Sequence, residues 1–267
     1  MSVDACGTAR KMHTALGSDE VLYQLPLGDE RIDVNDLIGR TVRIAHTGSI
    51  HCVLCGRRTK KSYGQGSCYP CFRDAPQNAE CIVRPELCRA HLGEGRDVQW
   101  ERDHHDQPHV VYLAVSSGLK VGVTRATQVP TRWIDQGARQ AIVLARTPYR
   151  QLAGAIEVVL KEHYADRTNW RRMLAGDPPD IDLRAARDEA ADRLDGELRA
   201  HLAHDDDILT IPYPVTEVVG SVKSINLEKT PEVEEVLTGI KGQYLLFGDG
   251  RVLNVRRHQG FDLLVQA

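Results

Sequence analysis

Hydrophobic and polar positions divide the 267-residue chain into stretches of different period. The most regular pattern begins at His109. HVVYLAV and LKVGVTR are two runs rich in β-branched residues, and Ser116, Ser117 and Gly118 separate them as turn residues separate the strands of a hairpin. In the first run Val111, Leu113 and Val115 fall on one face and Tyr112 on the other. In the second, Leu119, Val121 and Val123 oppose Lys120, Gly122 and Thr124. One face is apolar and suited to packing on a helix, while the other gathers a phenol, an ammonium group, a hydroxyl and the gap at Gly122. Pro130 then opens a short helix through TRWIDQGA, which Gly137 stops. QAIVLART reads as a third strand. Pro148 precedes YRQLAGAIEVVLKEHYADRTNWRRML, in which Leu152, Ile156, Val159 and Leu160 recur at helical spacing. Over 107–176 the predicted order is β-hairpin, helix, strand, long helix.

The flanks read differently. Residues 1–20 have no periodic apolar pattern and are expected to be loosely held. Residues 21–50 carry β-branched runs broken by Gly and Asn, as short strands do. Residues 208–267 return to strand patterns. KGQYLLF and RVLNVRR are joined across Gly248, Asp249 and Gly250 as a tight hairpin, and QGFDLLVQ adds another strand. These C-terminal strands are expected to pack with those of 21–50 as a small β domain, closing a barrel. After Pro178 and Pro179, the stretch 177–207 predicts an acidic amphipathic helix near Leu183–Leu202. The predicted class is α+β.

Composition adds location and charge. The apolar share is 42%, and no apolar run approaches the roughly 20 residues needed to span a bilayer. The first twenty residues lack the apolar core of a signal peptide. A soluble, cytoplasmic protein without a membrane partner is expected, in which the seven cysteines serve as metal ligands or thiols rather than disulfides. A net charge of −3 argues against indiscriminate coating of nucleic acid, but the average hides an asymmetry. From Gln107 to Arg150, Lys120, Arg125, Arg132, Arg139, Arg146 and Arg150 face Asp135 alone, whereas Asp177 to Asp207 holds eleven acids against four arginines. The basic stretch can meet phosphates; the plainer reading is that its arginines keep amphipathic elements in solution.

Residues 51–106 are rich in cysteine and histidine, with too few large apolar residues for a core, so a metal must hold them. HCVLCGRRTKKSYGQGSCYPCF contains two Cys-x-x-Cys pairs, Cys52 with Cys55 and Cys68 with Cys71. Two such turns face to face supply the four thiolates of a closed tetrahedral zinc site, as in a zinc ribbon. Gly56 suits the first turn. A redox pair is the rival reading, but the βαβ context it needs is missing. Arg57, Arg58, Lys60 and Lys61 form a basic tip between the pairs. A second zinc site is expected from Cys81, Cys88, His91 and His105 on ligand type, against the reading of buried thiols with surface histidines. Cys6 is incidental.

Residues 109–170 resemble the GIY-YIG nuclease superfamily, in the branch whose second signature reads K-[IV]-G-[IV]-T. Tyr112 matches the tyrosine of the first signature, and Lys120, Val121, Gly122 and Thr124 match the second. Arg132 matches the arginine of the first helix, and Glu157 the glutamate of a later helix. Val110 stands in place of the first signature's glycine, and Lys120 in place of the second tyrosine. The whole arrangement of ribbon, module and tail also looks like an uncharacterised bacterial protein family. The superfamily resemblance implies phosphodiester hydrolysis with one divalent ion, Mg²⁺ or Mn²⁺, on Glu157. It further implies charge stabilisation by Arg132, orientation or deprotonation of the attacking water by Tyr112 through a lowered pKa, and phosphate anchoring by Lys120. DNA or RNA is the implied partner.

Each of these residues also has an ordinary reading. Glu157 and Lys161 are spaced as a helix-surface ion pair, Tyr112 can be strand filling, and Arg132 can solubilise its helix. Arg125, Trp133, Arg139, Asn169 and Arg171 are the candidate nucleic-acid contacts, with Trp133 either stacking on a base or anchoring its helix. Two other functions fit the sequence: a non-catalytic zinc-ribbon nucleic-acid-binding protein, and a protein-interaction or assembly factor that uses the acidic helix and the β tail.

Overall fold

The computed structural model describes residues 2–176, 179–217 and 220–267. Pro178, expected to break the chain before the acidic helix, lies outside the described residues. The chain divides into two compact units. The first comprises Met1–Arg73, Leu174–Gly176 and Pro212–Ala267, and the second Asp74–Met173 and Asp177–Ile211.

The first unit opens with strands β1 (Asp4–Thr8), β2 (His13–Leu16), β3 (Val21–Leu27), β4 (Glu30–Asp33), β5 (Thr41–His51) and β6 (Arg58–Thr59), followed by helix α1 (Tyr69–Asp74). The second holds helix α2 (Val98–His104), strands β7 (His109–Val115) and β8 (Leu119–Arg125), helix α3 (Thr131–Asp135), strand β9 (Gln140–Thr147) and helix α4 (Arg150–Lys161). It continues with α5 (Trp170–Ala175), α6 (Leu183–Asp192), α7 (Gly196–Arg199) and β10 (Ile208–Thr210). Strands β11 (Lys223–Ser224), β12 (Glu232–Lys241), β13 (Tyr244–Phe247), β14 (Arg251–Asn254) and β15 (Phe261–Gln266) return to the first unit.

In the first unit β5 is the hub. Its buried Ile44 stands opposite Val233 of β12 on one side and Val265 of β15 on the other, so N- and C-terminal segments share one sheet. Strand order along that sheet is β1-β15-β5-β12-β13-β14-β11, with β6 on β5. Among the described residues the terminal strands of this path, β1 and β11, do not pair with each other, so hydrogen bonding does not close the expected barrel. β3 and β4 leave this sheet and pair with β2 in a separate three-stranded one. Residues 2–20 are not loose. β1 adds to β15 with Cys6 opposite Leu264, and β2 pairs with β3. Main-chain pairing needs no alternation of side chains, which is why the pattern did not reveal it. Met12, between the two strands, is fully buried, and its backbone N–H and C=O bond the Gln243 side-chain amide at 2.8 and 3.0 Å.

In the second unit the sheet runs β10-β9-β7-β8, and β7 is antiparallel to both neighbours. All seven residues of β7 are buried, as a strand covered on both faces requires. Val111, Leu113, Val115 and Val121 form a core with Ala153, Ile156 and Leu160 of α4 and with Leu183, Ala186 and Ala190 of α6. Full burial of each large aliphatic side chain contributes roughly 1.5–3 kcal/mol.

The predicted long helix is two helices. After Lys161 the chain drops beside the edge of β8, where the Val121 N–H donates to the Ala165 carbonyl at 3.0 Å; it restarts at α5, capped by Asn169 Oδ1 on the Arg172 N–H at 3.2 Å. The intervening EHYADRT has little to bury besides Tyr164, so satisfying the edge strand outweighs continuing the helix. The acidic helix also divides. Asp182 caps α6 through the Arg184 and Ala185 N–H groups, and Gly196, at φ +47°, separates off α7. Among the described residues no helix is long and apolar enough to cross a membrane.

Candidate active site

The sulfurs of Cys52, Cys55, Cys68 and Cys71 all lie within 4.8 Å of one another. Cys55 and Cys68 Sγ are 3.8 Å apart, close to the edge of a tetrahedron with zinc–sulfur bonds of about 2.3 Å. Gly56 makes the expected turn at φ +71°, its N–H donating to the Cys52 carbonyl at 2.9 Å. The cluster is compatible with a zinc site. Between the two cysteine pairs β6 returns along β5, with Arg58 opposite His51, and Arg57, Arg58, Lys60 and Lys61 are exposed.

A second cluster forms in the other unit with one member exchanged. Cys81, Cys88 and His105 converge with Glu101, their ligand atoms also within 4.8 Å of one another. His91 is elsewhere, its ring stacked on Tyr149 at 4.4 Å and 5°. Glu101 and His105 are four residues apart at the end of α2, which places them on one side of the helix, and they bond each other directly.

The polar face of the hairpin does not open to solvent; α3 covers it. The Tyr112 phenol donates to Gln136 Oε1 at 2.8 Å, and the Lys120 ammonium donates to the same oxygen. Tyr112 is fully buried and Lys120 is 2% exposed. Beside them a cavity of about 250 Å³ is lined by Tyr112, Lys120, Arg132 and Glu157, the four residues aligned by the superfamily resemblance. Gln136, Arg150, Lys161, Asp166, Arg167 and the apolar Ile82, Val83 and Pro85 complete its wall. Thr124 is buried outside this lining.

Burial sets the electrostatics of the cavity. It pushes the Lys120 ammonium down to about 7, with the Arg132 charge acting the same way and Glu157 and Asp166 opposing. Burial raises the Tyr112 phenol against the opposing pull of Arg132. That direction is contrary to the lowered value expected of a base, so Tyr112 is held as a neutral hydrogen-bond donor. Burial also raises Glu157; Lys161, 3.2 Å away, pulls it down, and the like charge of Asp166 adds to the rise. The helix-surface pair and the cavity carboxylate are therefore the same residue. Arg150, at the start of α4, donates to the Cys81 carbonyl at 3.0 and 2.9 Å and to the Ile82 carbonyl at 2.9 Å.

None of the five candidate nucleic-acid contacts lines the cavity. Trp133 is 4% exposed, with its ring 5.7 Å from that of Tyr112, so it anchors α3 and has no face for a base. Arg125 is half-buried at the end of β8. Asn169 is spent capping α5, and Arg139 and Arg171 are exposed, the latter over the Trp170 ring at 4.4 Å.

Sequence reading missed Glu101, Gln136 and Asp166, and singled out Arg150 only as part of the basic stretch. The i,i+4 spacing of Glu101 and His105 was a usable signal. Gln136 and Asp166 come from segments with no motif, and only tertiary structure brings them in.

Residues 39–263 match the family described as "Protein of unknown function (DUF2797)". No curated protein and no solved structure matches the chain.

Proposed function

We propose, for a chain that belongs to the DUF2797 family through residues 39–263, the activity of a divalent-metal-dependent hydrolase of nucleic-acid phosphodiesters, built on a GIY-YIG-like module that follows a zinc ribbon in the sequence. The observation that carries it is the convergence of Tyr112, Lys120, Arg132 and Glu157, from two strands and two helices, on one cavity.

Five cations and two carboxylates line that cavity: Lys120, Arg132, Arg150, Lys161 and Arg167 against Glu157 and Asp166. Such a surplus draws in a phosphodiester and stabilises charge that develops on its oxygens. Lys120, while charged, anchors a phosphate oxygen, and Arg132 and Arg150 supply planar guanidinium donors suited to the same group. Tyr112, neutral and with its proton donated to Gln136, positions a water by accepting a hydrogen bond from it. A hard dication takes oxygen ligands, and Glu157, raised by burial and by the neighbouring Asp166 charge, is a carboxylate whose ionised form a dication would favour. Glu157, with Asp166 beside it, would hold Mg²⁺ or Mn²⁺. When bound, that ion supplies charge neutralisation at the phosphate.

Two observations favour a second reading. Lys161 already pairs with Glu157, and Lys120 stands where the superfamily has a tyrosine, so the same cavity suits phosphate binding without cleavage. Incubation with labelled single- and double-stranded DNA and RNA, with Mg²⁺, Mn²⁺ or EDTA, separates the two. Cleavage that needs the metal supports the hydrolase. Salt-sensitive binding without cleavage replaces it with the binding protein. Absence of both at low salt leaves a protein-interaction or assembly role.

A further inference from the structure

We propose that Cys81, Cys88, Glu101 and His105 form a second closed zinc site, with Glu101 as the carboxylate ligand, and that this centre fixes the wall of the cavity at Arg150. The metal assignment stands apart from the hydrolase reading; the role given to the wall rests on it.

Burial in this region is inverted. Between Asp74 and Asp106 the large apolar residues Val83, Leu87, Leu92 and Val98 are 75%, 42%, 56% and 45% exposed. Cys88, Glu101 and His105 are 2%, 3% and 3% exposed. A segment that buries a thiol, a carboxylate and an imidazole while leaving its aliphatic side chains in water is not held by a hydrophobic core. Its backbone between Pro76 and Leu92 is four short 3₁₀ turns. Burying a carboxylate against thiols is costly unless a cation compensates. Cys81 Sγ and His105 Nδ1 are 3.9 Å apart, and all four ligand atoms lie within 4.8 Å of one another, a set that a small tetrahedral cation can bridge by taking the place of the direct Glu101–His105 bond. Gly95 packs so closely on Glu101 that a Cβ there would collide with the carboxylate side chain, which fixes Glu101 toward the cluster.

The loop that carries Cys81 and Cys88 is seated on α4. A Cβ at Gly154 would strike the backbone of Pro85 and Glu86. Beside that seat, Arg150 directs its guanidinium to the Cys81 and Ile82 carbonyls, and its N–H donates to the His105 carbonyl at 2.9 Å. One cavity residue is thus bonded to the backbone of two of the four ligands, through its guanidinium to Cys81 and through its backbone N–H to His105. Arg150 is held in place by the metal centre, and Ile82, Val83 and Pro85 line the cavity because the centre closes their loop.

The test is zinc stoichiometry and the absorption of cobalt-substituted protein, both read without reference to cleavage. Full-length protein prepared without chelator should contain two zinc ions per chain, and its cobalt form should show thiolate charge-transfer intensity for six sulfurs rather than four. Cys88→Ser and Glu101→Ala should each lose one metal, while His91→Ala keeps both. Hydrogen exchange of the Ile82–Leu87 amides should accelerate at least tenfold in the metal-deficient variants. One zinc in the wild type, with four-sulfur cobalt intensity, overturns the site even if a variant fails to fold. Loss of a metal in His91→Ala overturns the choice of Glu101. Two metals with unchanged exchange at 82–87 in the Glu101→Ala protein overturns both the ligand role and the link to the wall.

Discussion

Tyr112 lies over Gly122, its partner across the β7–β8 ladder, and a Cβ at position 122 would stand 2.7 Å from the phenol oxygen. The absent side chain of Gly122 is therefore the space that the Tyr112 ring occupies. Gly122→Ala must push the ring off Gln136 or open the ladder, and overpacking of this kind costs about 1–3 kcal/mol. Denaturant unfolding should show that loss, together with a fall in cleavage. Gly118→Ala in the neighbouring turn, where an added Cβ meets nothing within 4 Å, should be close to neutral.

Gly154→Ala should reverse the usual sign. In a helix interior this change ordinarily stabilises by about 0.5–1 kcal/mol. Here the new Cβ would stand 2.8 Å from Glu86 Cα and closer still to the backbone atoms before it, so the loop must lift from α4. A net loss of about 1–3 kcal/mol is expected. An unfolding midpoint at or above that of the wild type would show that the loop is not seated on this helix.

Lys120 makes the protein pH-sensitive in a defined direction. Its value falls from the ordinary 10.5 to about 7 in the folded chain because burial disfavours the charge. Between those values the unfolded chain binds the extra proton, so the contribution of Lys120 to stability rises from pH 7 toward 10.5 and is level below 7. The difference in unfolding free energy between wild type and Lys120→Met should follow that slope, amounting to a few kcal/mol over the window. Affinity for nucleic acid should fall as pH rises through 7 and above, since bound phosphate itself favours the charged form. In Lys120→Arg that fall should disappear.

A zinc held by the cluster of Cys52, Cys55, Cys68 and Cys71 should respond to its own ligands alone. Cys68→Ser is expected to release one metal, read with a metallochromic dye, and to lower the unfolding temperature by several degrees, as the loss of a few kcal/mol does in a chain of this size. Unchanged metal content would remove Cys68 from the site.

Much of this was legible in the sequence where chemistry follows spacing. The two Cys-x-x-Cys pairs pointed to their cluster because ligand type and turn geometry are local. The hairpin, α3, β9 and the start of α4 followed from alternation and proline placement. The long-range features were hidden for physical reasons. β1 pairs through main-chain groups and shows no side-chain period. The stretch after Lys161 has helix-forming residues, yet it leaves the helix to satisfy the edge of β8. His91 was chosen for its ligand type, but stacking on Tyr149 removes it, and Glu101 takes the place because α2 sets it one turn before His105. Trp133 had the composition of a base-stacking surface and turned inward, because α3 needs it to cover Tyr112.

The most direct test of the cavity as a hydrolytic site is the rate of cleavage by Glu157→Gln beside the wild type, at equal substrate and saturating Mg²⁺. A ligand that holds the cation contributes several kcal/mol of charge stabilisation, so a fall of about 100-fold or more is expected with the fold intact by circular dichroism. A glutamine protein that cleaves as fast as the wild type would contradict the account.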